Sequence, residues 1–334
     1  MKDLPDIYFD RNYGKLYEKM EHGVAQVFHF KNEHGEILHQ FIKREIPVRV
    51  NDDILYDLIT PYGYGGPLIL NCDGNKEQLV QEFYNEFSKY CKRNNIVSEF
   101  VRFHPVIENA KDFADIYNTV FDRHTVGTDL KSYTIEEEFS KSARKSIRQA
   151  LKKGITYSVK ANPDSLEEFK KIYRSTMNRN EASDYYYFDD DYFSDCLRYY
   201  GKNILLVEAY WEGKTIAAGL YFFYGKIIAA HLSGTLSEYL HLSPAYIIKY
   251  ATAEWAKNNG IEYIHYGGGT DKSEDNPLYL FKKKFGKNTE FDFYLGKKIW
   301  NKKLYIELCR ITGSETDMDF FPAYRGKRES DVCE

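Results

Sequence analysis

The order of elements between Ile204 and Thr270 constrains the fold of this chain more than any other feature of its sequence. Three strand-like runs joined by tight glycine-containing turns form the pattern of a β-meander: Ile204–Tyr210, Thr215–Phe223 and Ile227–Ser233. Ser243-Pro244 then begins a helix that ends near Gly260, because serine caps a helix start and proline fits its first position. The apolar run Ile261–Tyr266 follows as a buried strand. This order predicts an α+β unit.

A second copy of the same order is visible nearer the N-terminus. Strand-like runs at Val24–Phe30 and Ile37–Ile46 precede an amphipathic helix at Asn75–Arg93 and a strand at Ile96–Phe103. The length of 334 residues also favours two domains. We therefore predict two α+β units in tandem with a cleft between them. The expected boundaries are 1–153 and 154–300, and 301–334 is expected to pack back as a C-terminal segment or to be partly disordered.

Charge and cysteine usage narrow the class of protein. The net charge of −4 gives no overall nucleic-acid signature, so any polyanion must bind a local patch. Five cysteines without a CxxC pair argue against a disulfide framework or a zinc site, and the histidines form no metal-binding pattern. No apolar signal region or membrane-length run is present. We expect a cytoplasmic monomer, able to sit at the inner membrane surface, without metal or cofactor.

A triple glycine and a lysine cluster mark the first candidate site. Gly267, Gly268 and Gly269 follow the buried strand, and glycines let a backbone approach another group closely. Lys282 to Lys284 then lie between Phe281 and Phe285. Positive charge beside an apolar wall suits an anion or a developing oxyanion. The alternative is a plain turn followed by a solvated basic segment.

A second candidate site combines a strand end with a glycine-rich loop. Arg102 and His104 alternate on one strand and therefore share a face. That face leads towards the loop Tyr62–Pro67, which contains Tyr64, Gly65 and Gly66. Together these residues can grip a diphosphate or a carboxylate, since arginine binds such groups in a bidentate manner. A buried histidine before a proline and a simple turn are the alternatives.

The segment Ser140–Lys153 predicts an amphipathic helix with one basic face. Ala143, Ile147 and Ala150/Leu151 form its apolar stripe, and the opposite face carries Lys141, Arg144, Lys145, Arg148 and Lys152. Arg144 and Arg148 are candidate contacts for the phosphates of a polyanion. Solubility alone also explains such a face.

Several motifs in a fixed order resemble the FemABX family of peptidoglycan-bridge aminoacyltransferases, within the GNAT superfamily. They are Tyr8-Phe9, Tyr17-Glu18, Thr60–Pro67, Arg102–Pro105, Arg144–Gly154, Thr176–Asn180, Gly267–Gly269 and Phe281–Gly286. The chain lacks a heptad run long enough for the helical arm of larger members, so it is similar to the compact FemX type. The resemblance implies two GNAT-like domains and transfer of an aminoacyl group from aminoacyl-tRNA to an amine of a peptidoglycan precursor. The precursor would be UDP-linked or lipid-linked.

The resemblance also assigns roles to individual residues. It places Lys282 beside the reacting carbonyl, with Phe281 shaping the channel, and it implies that Thr176 and Arg179 contact a substrate diphosphate. Arg179 can instead pair with Glu181 or with an acid in Asp189–Asp191. No general base is evident; Glu99, Glu108, Asp271 and Glu274 are the possible ones.

Two other functions remain open from the sequence. The first is an N-acyltransferase that takes its acyl group from acyl-CoA or an acyl carrier and modifies an amino sugar or a polysaccharide precursor. The stretch Leu236–Pro244, where GNAT enzymes carry a glycine-rich loop for the CoA diphosphate, has no glycine and contains Glu238, which argues against CoA. The second is a non-catalytic binding protein with the same fold.

Overall fold

A computed structural model describes residues 4–316 and 319–326 of the chain. The strands are β1 (Gly23–Asn32), β2 (Gly35–Glu45), β3 (Tyr56–Ile59), β4 (Leu68–Cys72), β5 (Ile96–Arg102), β6 (Asn118–Asp129), β7 (Thr156–Ala161), β8 (Ile204–Trp211), β9 (Lys214–Tyr224), β10 (Ile227–Thr235), β11 (Tyr263–Gly267) and β12 (Glu290–Ile299). The α-helices are α1 (Arg11–Lys15), α2 (Glu18–Glu21), α3 (Lys76–Arg93), α4 (Ile135–Glu138), α5 (Lys141–Lys152), α6 (Glu167–Arg179), α7 (Asp190–Tyr200), α8 (Pro244–Asn258), α9 (Pro277–Lys283) and α10 (Lys302–Thr312). The predicted α+β class is confirmed.

The residues divide into two units. The N-terminal unit contains Tyr8–Asp122 and the chain from Phe293 onward, and the central unit contains Arg123–Asp292 with a short segment that ends at Ile7. These limits differ from the expected division at residue 153, because the chain passes between the units within β6 and again within β12. Neither strand was expected from the sequence pattern.

The N-terminal unit is built on the strand order β1-β2-β3-β5-β12, with β4 paired to β2. Helix α3 begins where the Asn75 side chain accepts a hydrogen bond from Gln78 N at 2.9 Å. Its buried stripe, which includes Leu79, Phe83 and Phe87, packs into the core of this unit. The helix leads into β5, which lies parallel to β3. The meander–helix–strand order predicted for this half is therefore present.

The C-terminal segment is attached to the N-terminal unit by a buried carboxylate. Asp57 is fully buried and accepts hydrogen bonds from Arg44 Nε at 2.8 Å and from Arg325 Nε at 2.5 Å. Apolar side chains of α10, among them Tyr305 and Leu308, pack in a second apolar cluster of this unit. The segment from Asn301 to Gly326, apart from residues 317–318, thus belongs to this unit; residues 327–334 lie outside the described part of the chain.

The central unit has the strand order β6-β11-β10-β9-β8-β7. Its meander β8–β9–β10 is antiparallel, and α8 then leads into β11, which lies parallel to β10. The β10–β11 register covers only Ile227–Ala229 against Tyr263–His265. Beyond it, β10 continues beside β9 to Thr235, with a bulge at His231. The two strands therefore separate toward their C-terminal ends, where the triple glycine lies.

Helices cover both faces of this sheet. On β9, Tyr221 contacts Lys249 of α8, whereas the neighbouring Phe222 contacts Tyr200 of α7. Since successive strand residues point to opposite faces, α8 and α7 lie on opposite faces. The capping role expected for Ser243 is wrong: this residue has φ 60 and makes no side-chain cap hydrogen bond. Within the described residues, none of the helices combines the length and the apolar character of a membrane span.

A buried polar network holds the core of the N-terminal unit together. Glu99 is 1% exposed, and its carboxylate lies 2.5 Å from His39 Nε2. It also accepts hydrogen bonds from Tyr117 Oη at 3.1 Å and Trp300 Nε1 at 3.0 Å. Glu99 was one of the possible general bases; instead it satisfies three side chains in the interior. Removing it leaves those groups unpaired, which costs more than losing an exposed bond.

We predict that Glu99→Ala lowers the free energy of unfolding by about 3 kcal/mol or more. The measurement is urea unfolding at pH 7. The matched control is Glu86→Ala, since Glu86 is an exposed carboxylate on α3 paired with Lys89 at 2.7 Å; this change should cost less than about 0.5 kcal/mol. Equal losses in the two variants would contradict the role given to the network.

Candidate active site

The triple glycine allows two side chains of the central unit to approach the backbone closely. A Cβ on Gly268 would lie 2.9 Å from Arg123 Cδ, and one on Gly269 would lie 2.6 Å from Asn276 Oδ1. Gly267 has φ +76, a conformation that glycine adopts without strain. The glycines are thus required by the protein's own packing, whether or not a ligand also approaches them.

The carbonyls of this segment are bound by cations. Lys282 Nζ donates to Gly268 O at 2.6 Å. Arg123 Nη1 donates to Gly269 O at 3.1 Å and to Asp271 O at 3.0 Å. The structure therefore brings Lys282 to the triple glycine, as the sequence suggested. Arg123 was missed, because it stands on β6 and only the β6–β11 pairing brings it to this place.

Asn276 positions the helix that carries Lys282. Its Oδ1 accepts hydrogen bonds from Leu278 N at 3.0 Å and Tyr279 N at 3.2 Å, at the start of α9. Its Nδ2 donates to Thr270 Oγ1 at 2.7 Å, which connects the helix start to the residue after the glycines. Pro277 occupies the first turn, where no backbone N–H is needed. The orientation of Lys282 is thus fixed by short-range hydrogen bonds.

The other residues of the lysine cluster point to different partners. Phe281 forms an edge-to-face contact with Tyr246, with ring centroids 5.2 Å apart. Lys284 Nζ donates to Tyr246 Oη at 3.1 Å, and Lys283 pairs with Glu290 at 2.8 Å. Among the three lysines, Lys282 is the one that reaches the glycine segment. Because the three lysines have three different partners, the cluster is not a uniformly solvated basic segment.

The surroundings of Lys282 favour its uncharged form. The residue as a whole keeps partial exposure, but its nitrogen lies in the protein interior. Burial, together with the nearby cations Lys249 and Arg123, lowers the pKa of Lys282 to about 7. Lys249, on α8, is 8% exposed, and burial lowers its pKa to about 7 as well. Lys249 was missed, because it lies among apolar residues of α8 and no motif marks it.

Thr176 and Arg179 lie together at the C-terminal end of β10. Thr176 Oγ1 accepts a hydrogen bond from Thr235 N at 2.9 Å, and Arg179 Nη1 donates to Thr235 O at 2.6 Å. Arg179 also lies 3.3 Å from Ser237 Oγ. These bonds fasten α6 to the strand where it has separated from β11. The acid Asp190, a possible partner of Arg179, instead binds Lys170 and Arg174, each at 2.8 Å.

The glycine-rich loop of the N-terminal unit is packed into an aromatic cluster. A Cβ on Gly63 would lie 2.5 Å from the Tyr8 ring, and one on Gly66 would lie 2.8 Å from Val101. Asn109 Nδ2 donates to the carbonyls of Gly65 and Pro67, each at 2.8 Å. Tyr64 lies against Tyr8, with ring centroids 5.4 Å apart. This packing explains the glycines and the tyrosine of the loop that was predicted to bind a ligand.

Arg102 and His104 adjoin that loop, as predicted. Arg102 Nη1 donates to Thr60 O at 3.0 Å, and the backbone O of Arg102 accepts from Gly65 N at 2.8 Å. His104 is 1% exposed, and its Nδ1 accepts from Ile107 N at 3.2 Å. Its ring packs beside Tyr64 and Tyr8. His104 thus has the surroundings of a buried structural histidine, which was the alternative interpretation.

The basic face of α5 is present on the central unit. Ala143, Ile147 and Ala150 are buried, whereas Leu151 is exposed and does not belong to the apolar stripe. Arg148 is exposed. Arg144 is half-buried, and its Nε is a buried atom without a hydrogen-bond partner among the described residues. The helix begins beside α9, since Ser140 N donates to Lys284 O at 2.8 Å.

Two of the remaining candidate bases have other partners. Glu108 is exposed and pairs with Lys111 at 2.6 Å. Asp271 accepts a hydrogen bond from Ser273 N at 2.8 Å, and this bond and the one from Asn276 hold the pKa of its carboxyl below the ordinary value. In the part of the chain that the structure describes, no group of three or more His, Cys, Asp or Glu side chains could hold a metal ion.

Comparison with known proteins places these features in a family context. Residues 138–275 match the family described as "Acetyltransferase (GNAT) domain". A curated relative from Weissella viridescens, UDP-N-acetylmuramoylpentapeptide-lysine N(6)-alanyltransferase, is 22% identical over 216 residues. The matched region covers 62% of this chain and 63% of that relative, so the chain spans less than two thirds of its length.

Solved structures share the fold at low sequence identity. A crystal structure of FemX has a TM-score of 0.68 at 12% identity, covering 90% of this chain and 94% of that one. The C-terminal domain of a putative lysylphosphatidylglycerol synthetase from Agrobacterium fabrum has a TM-score of 0.56 at 12% identity, with 88% of both chains covered. At such identities the likeness concerns the fold alone. The predicted tandem GNAT-like fold is confirmed.

Proposed function

We propose that this chain, a FemABX-like protein of the GNAT superfamily, is an acyltransferase that moves an aminoacyl group from aminoacyl-tRNA to an amine of a peptidoglycan precursor. The observation that carries the proposal is the position of Lys282. One lysine of three is turned to a glycine-rich strand end, at the point where β10 and β11 have separated, and its nitrogen lies in the interior. A group held this way can act on a carbonyl that enters between the strands.

The reaction requires stabilisation of negative charge on a carbonyl oxygen. An amine that attacks an ester carbonyl forms a tetrahedral intermediate with an oxyanion, and a fixed N–H donor in a dry site stabilises that charge. Lys282 has the necessary N–H groups, and the bond to Gly268 O holds its nitrogen in place. The Phe281 ring against Tyr246 supplies an apolar wall beside it. No metal is needed for this chemistry, because the ester is already activated.

Two observations support the proposed acceptor: the name of the curated relative, and the position of Arg179 at the C-terminal end of β10. The Weissella viridescens relative is named for transfer of alanine to a lysine of a UDP-linked pentapeptide. In this chain, Arg179 offers a cationic group at the C-terminal end of β10, held against Thr235 O. A guanidinium so placed suits the diphosphate of a UDP-linked or lipid-linked precursor. The lysine-type amine of such a precursor is the nucleophile.

The region before α8 argues for a tRNA donor over CoA. Ser237–Leu242 forms a 3-10 helix without glycine, and Ser243 follows in a left-handed conformation. The run of backbone N–H groups that a glycine-rich loop offers to a CoA diphosphate is therefore missing. Glu238 does not stand alone as an opposing charge, because its carboxylate lies 3.5 Å from Lys214 Nζ. The backbone of this region, and not the Glu238 carboxylate, therefore disfavours a CoA diphosphate.

The first prediction concerns the donor. The purified protein should transfer an aminoacyl group from charged tRNA to a UDP-linked muramoyl pentapeptide, detected by mass spectrometry of the acceptor. Acetyl-CoA in place of charged tRNA should give no acylated product, and calorimetry should detect no micromolar binding of CoA. Acetylated acceptor with CoA, and none with charged tRNA, would replace the proposal by the acyl-CoA alternative. If the protein binds one of the two donors but transfers no group from either, the result would favour the non-catalytic binding protein.

The second prediction concerns Lys282. Lys282→Met should reduce the transfer rate about a hundredfold or more, which is the cost of removing one oxyanion donor. The matched control is Lys283→Met on the same helix, where the lysine pairs with Glu290, and its rate should stay within a few-fold of the wild type. Thermal unfolding of both variants checks that each remains folded. A Lys282→Met rate equal to that of the control would contradict the role of Lys282.

The third prediction concerns the basic face of α5. Reversing the charge of Arg144, Arg148 and Lys152 together should weaken the binding of charged tRNA, and the loss should shrink at high salt. Each phosphate contact removed should lower the slope of log K against log salt by roughly 0.9. Gel shifts over a salt series measure this slope. The control reverses Lys19, Lys89 and Lys92 of the N-terminal unit; the same slope in both triple variants would make the α5 face a solubility feature.

A further inference from the structure

Lys249 is a buried lysine for which the described residues supply no carboxylate partner. It lies on α8 with 8% exposure, and its Nζ is 3.3 Å from Tyr221 Oη and 4.4 Å from the centre of the Tyr266 ring. Across the described ranges 4–316 and 319–326, no acidic side chain forms an ion pair or hydrogen bond with it. Burying an ammonium group without a counter-ion is costly, and proteins rarely retain one without a function.

Lys249 and Lys282 converge on one short piece of backbone. The ammonium of Lys249 lies over Tyr266, and Gly268, two residues further, accepts the hydrogen bond from Lys282. A positive charge on Lys249 therefore disfavours a positive charge on Lys282. Lys249 comes from α8 and Lys282 from α9, so two helices direct lysines to the point where the strands separate.

The other charged and titratable groups near this pair are Arg123, the Asp271 carboxylate that interacts with Arg123, and two tyrosines. Arg123, on β6, is a third cation acting on Lys282, while the Tyr221 and Tyr266 phenols stay protonated because burial raises the pKa of each well above the ordinary value. Tyr266 Oη lies 2.8 Å from Thr128 Oγ1, which is neutral. Lys282 donates to a backbone carbonyl, which a neutral amine can also do. Its lone pair is then available for a proton.

We propose that Lys282 takes the proton from the attacking amine, and that Lys249 is the positioning residue that shares one positive charge with it, so that uncharged Lys282 is available to accept that proton. This inference rests on the proposed function, and it supplies a general base for the reaction. It also gives α8 a part in the reaction. The lowered pKa of both lysines agrees with the geometry, since two ammonium groups cannot both remain charged in this interior without an anion.

The step balances without any further reagent. The nitrogen of the acceptor amine forms a bond to the ester carbonyl carbon, and its proton passes to the lone pair of Lys282 Nζ. Lys282 is then an ammonium group beside the oxyanion, which it stabilises. When the bond between the carbonyl carbon and the ribose oxygen breaks, Lys282 returns the proton to that oxygen. The products are an amide and tRNA with a free hydroxyl group, and Lys282 is again neutral.

The first test measures the protonation of Lys282 without any substrate. Brief labelling with trace acetic anhydride over a pH series, with tandem mass spectrometry of the peptide containing Lys282, gives the fraction of neutral amine at each pH. The wild-type midpoint should lie near 7. In Lys249→Met it should move to higher pH, and in Lys249→Arg, which keeps the charge, it should stay. Lys284→Met is the control, since Lys284 binds Tyr246 Oη and does not act on Lys282.

The second test is the pH dependence of transfer under single-turnover conditions. The wild-type rate should rise with pH through about 7, because only neutral Lys282 accepts a proton. Lys249→Met should lose rate at pH 7 and regain the wild-type plateau at alkaline pH, whereas a structural defect would lower the rate at every pH. A wild-type rate that falls as pH rises would mean that charged Lys282 acts as an oxyanion donor only, and would overturn the base role.

The two tests separate the failure of this inference from the failure of the proposed function. A midpoint that is unchanged in Lys249→Met overturns the coupling, whatever the protein transfers. A shifted midpoint with no transfer from any aminoacyl-tRNA keeps the lysine pair and rejects the proposed reaction. Urea unfolding of Lys249→Met shows whether it folds; if it does not, Lys249→Gln serves in its place, because it also removes the charge.

Discussion

The hydrogen bond from Lys282 to Gly268 O is the contact on which the candidate site depends. It exists because β11 ends in glycines, because Asn276 holds the start of α9 against the residue after them, and because β10 has already separated from β11. Two of these conditions are set by backbone geometry, and the third is set by the Asn276 side chain. The candidate lysine is therefore positioned by the strand end, and the aromatic residues around it supply an apolar wall.

Burial of positive charge is the common feature of this site. Lys249, Lys282 and Arg123 come from three different elements and meet near the glycine segment. A carboxylate in the same place would have stabilised the ammonium groups and kept them charged. The described partners are instead carbonyls and phenols, which accept a hydrogen bond and do not neutralise a cation. Such an environment costs stability and yields a lysine that titrates near neutral pH.

The N-terminal unit repeats the order of the central unit but uses its polar residues differently. In place of a lysine at a strand end, it buries Glu99 among three donors and Asp57 between two arginines. Its glycine-rich loop packs against aromatic rings. These features are those of a supporting core. The same meander–helix–strand order thus carries the candidate site in one unit and a buried polar core in the other.

Local pattern by itself determined the α+β class, the meanders, the major helices and the choice of Lys282 as a candidate, because these follow from short-range periodicity and from the glycines. The tertiary structure alone decided the rest. The unit boundaries depend on β6 and β12, whose pairing partners are distant in sequence. Lys249 and Arg123 join the site only through helix packing and strand register, and Glu99 is removed from catalysis by burial. A side chain's charge state depends on neighbours that no local pattern specifies.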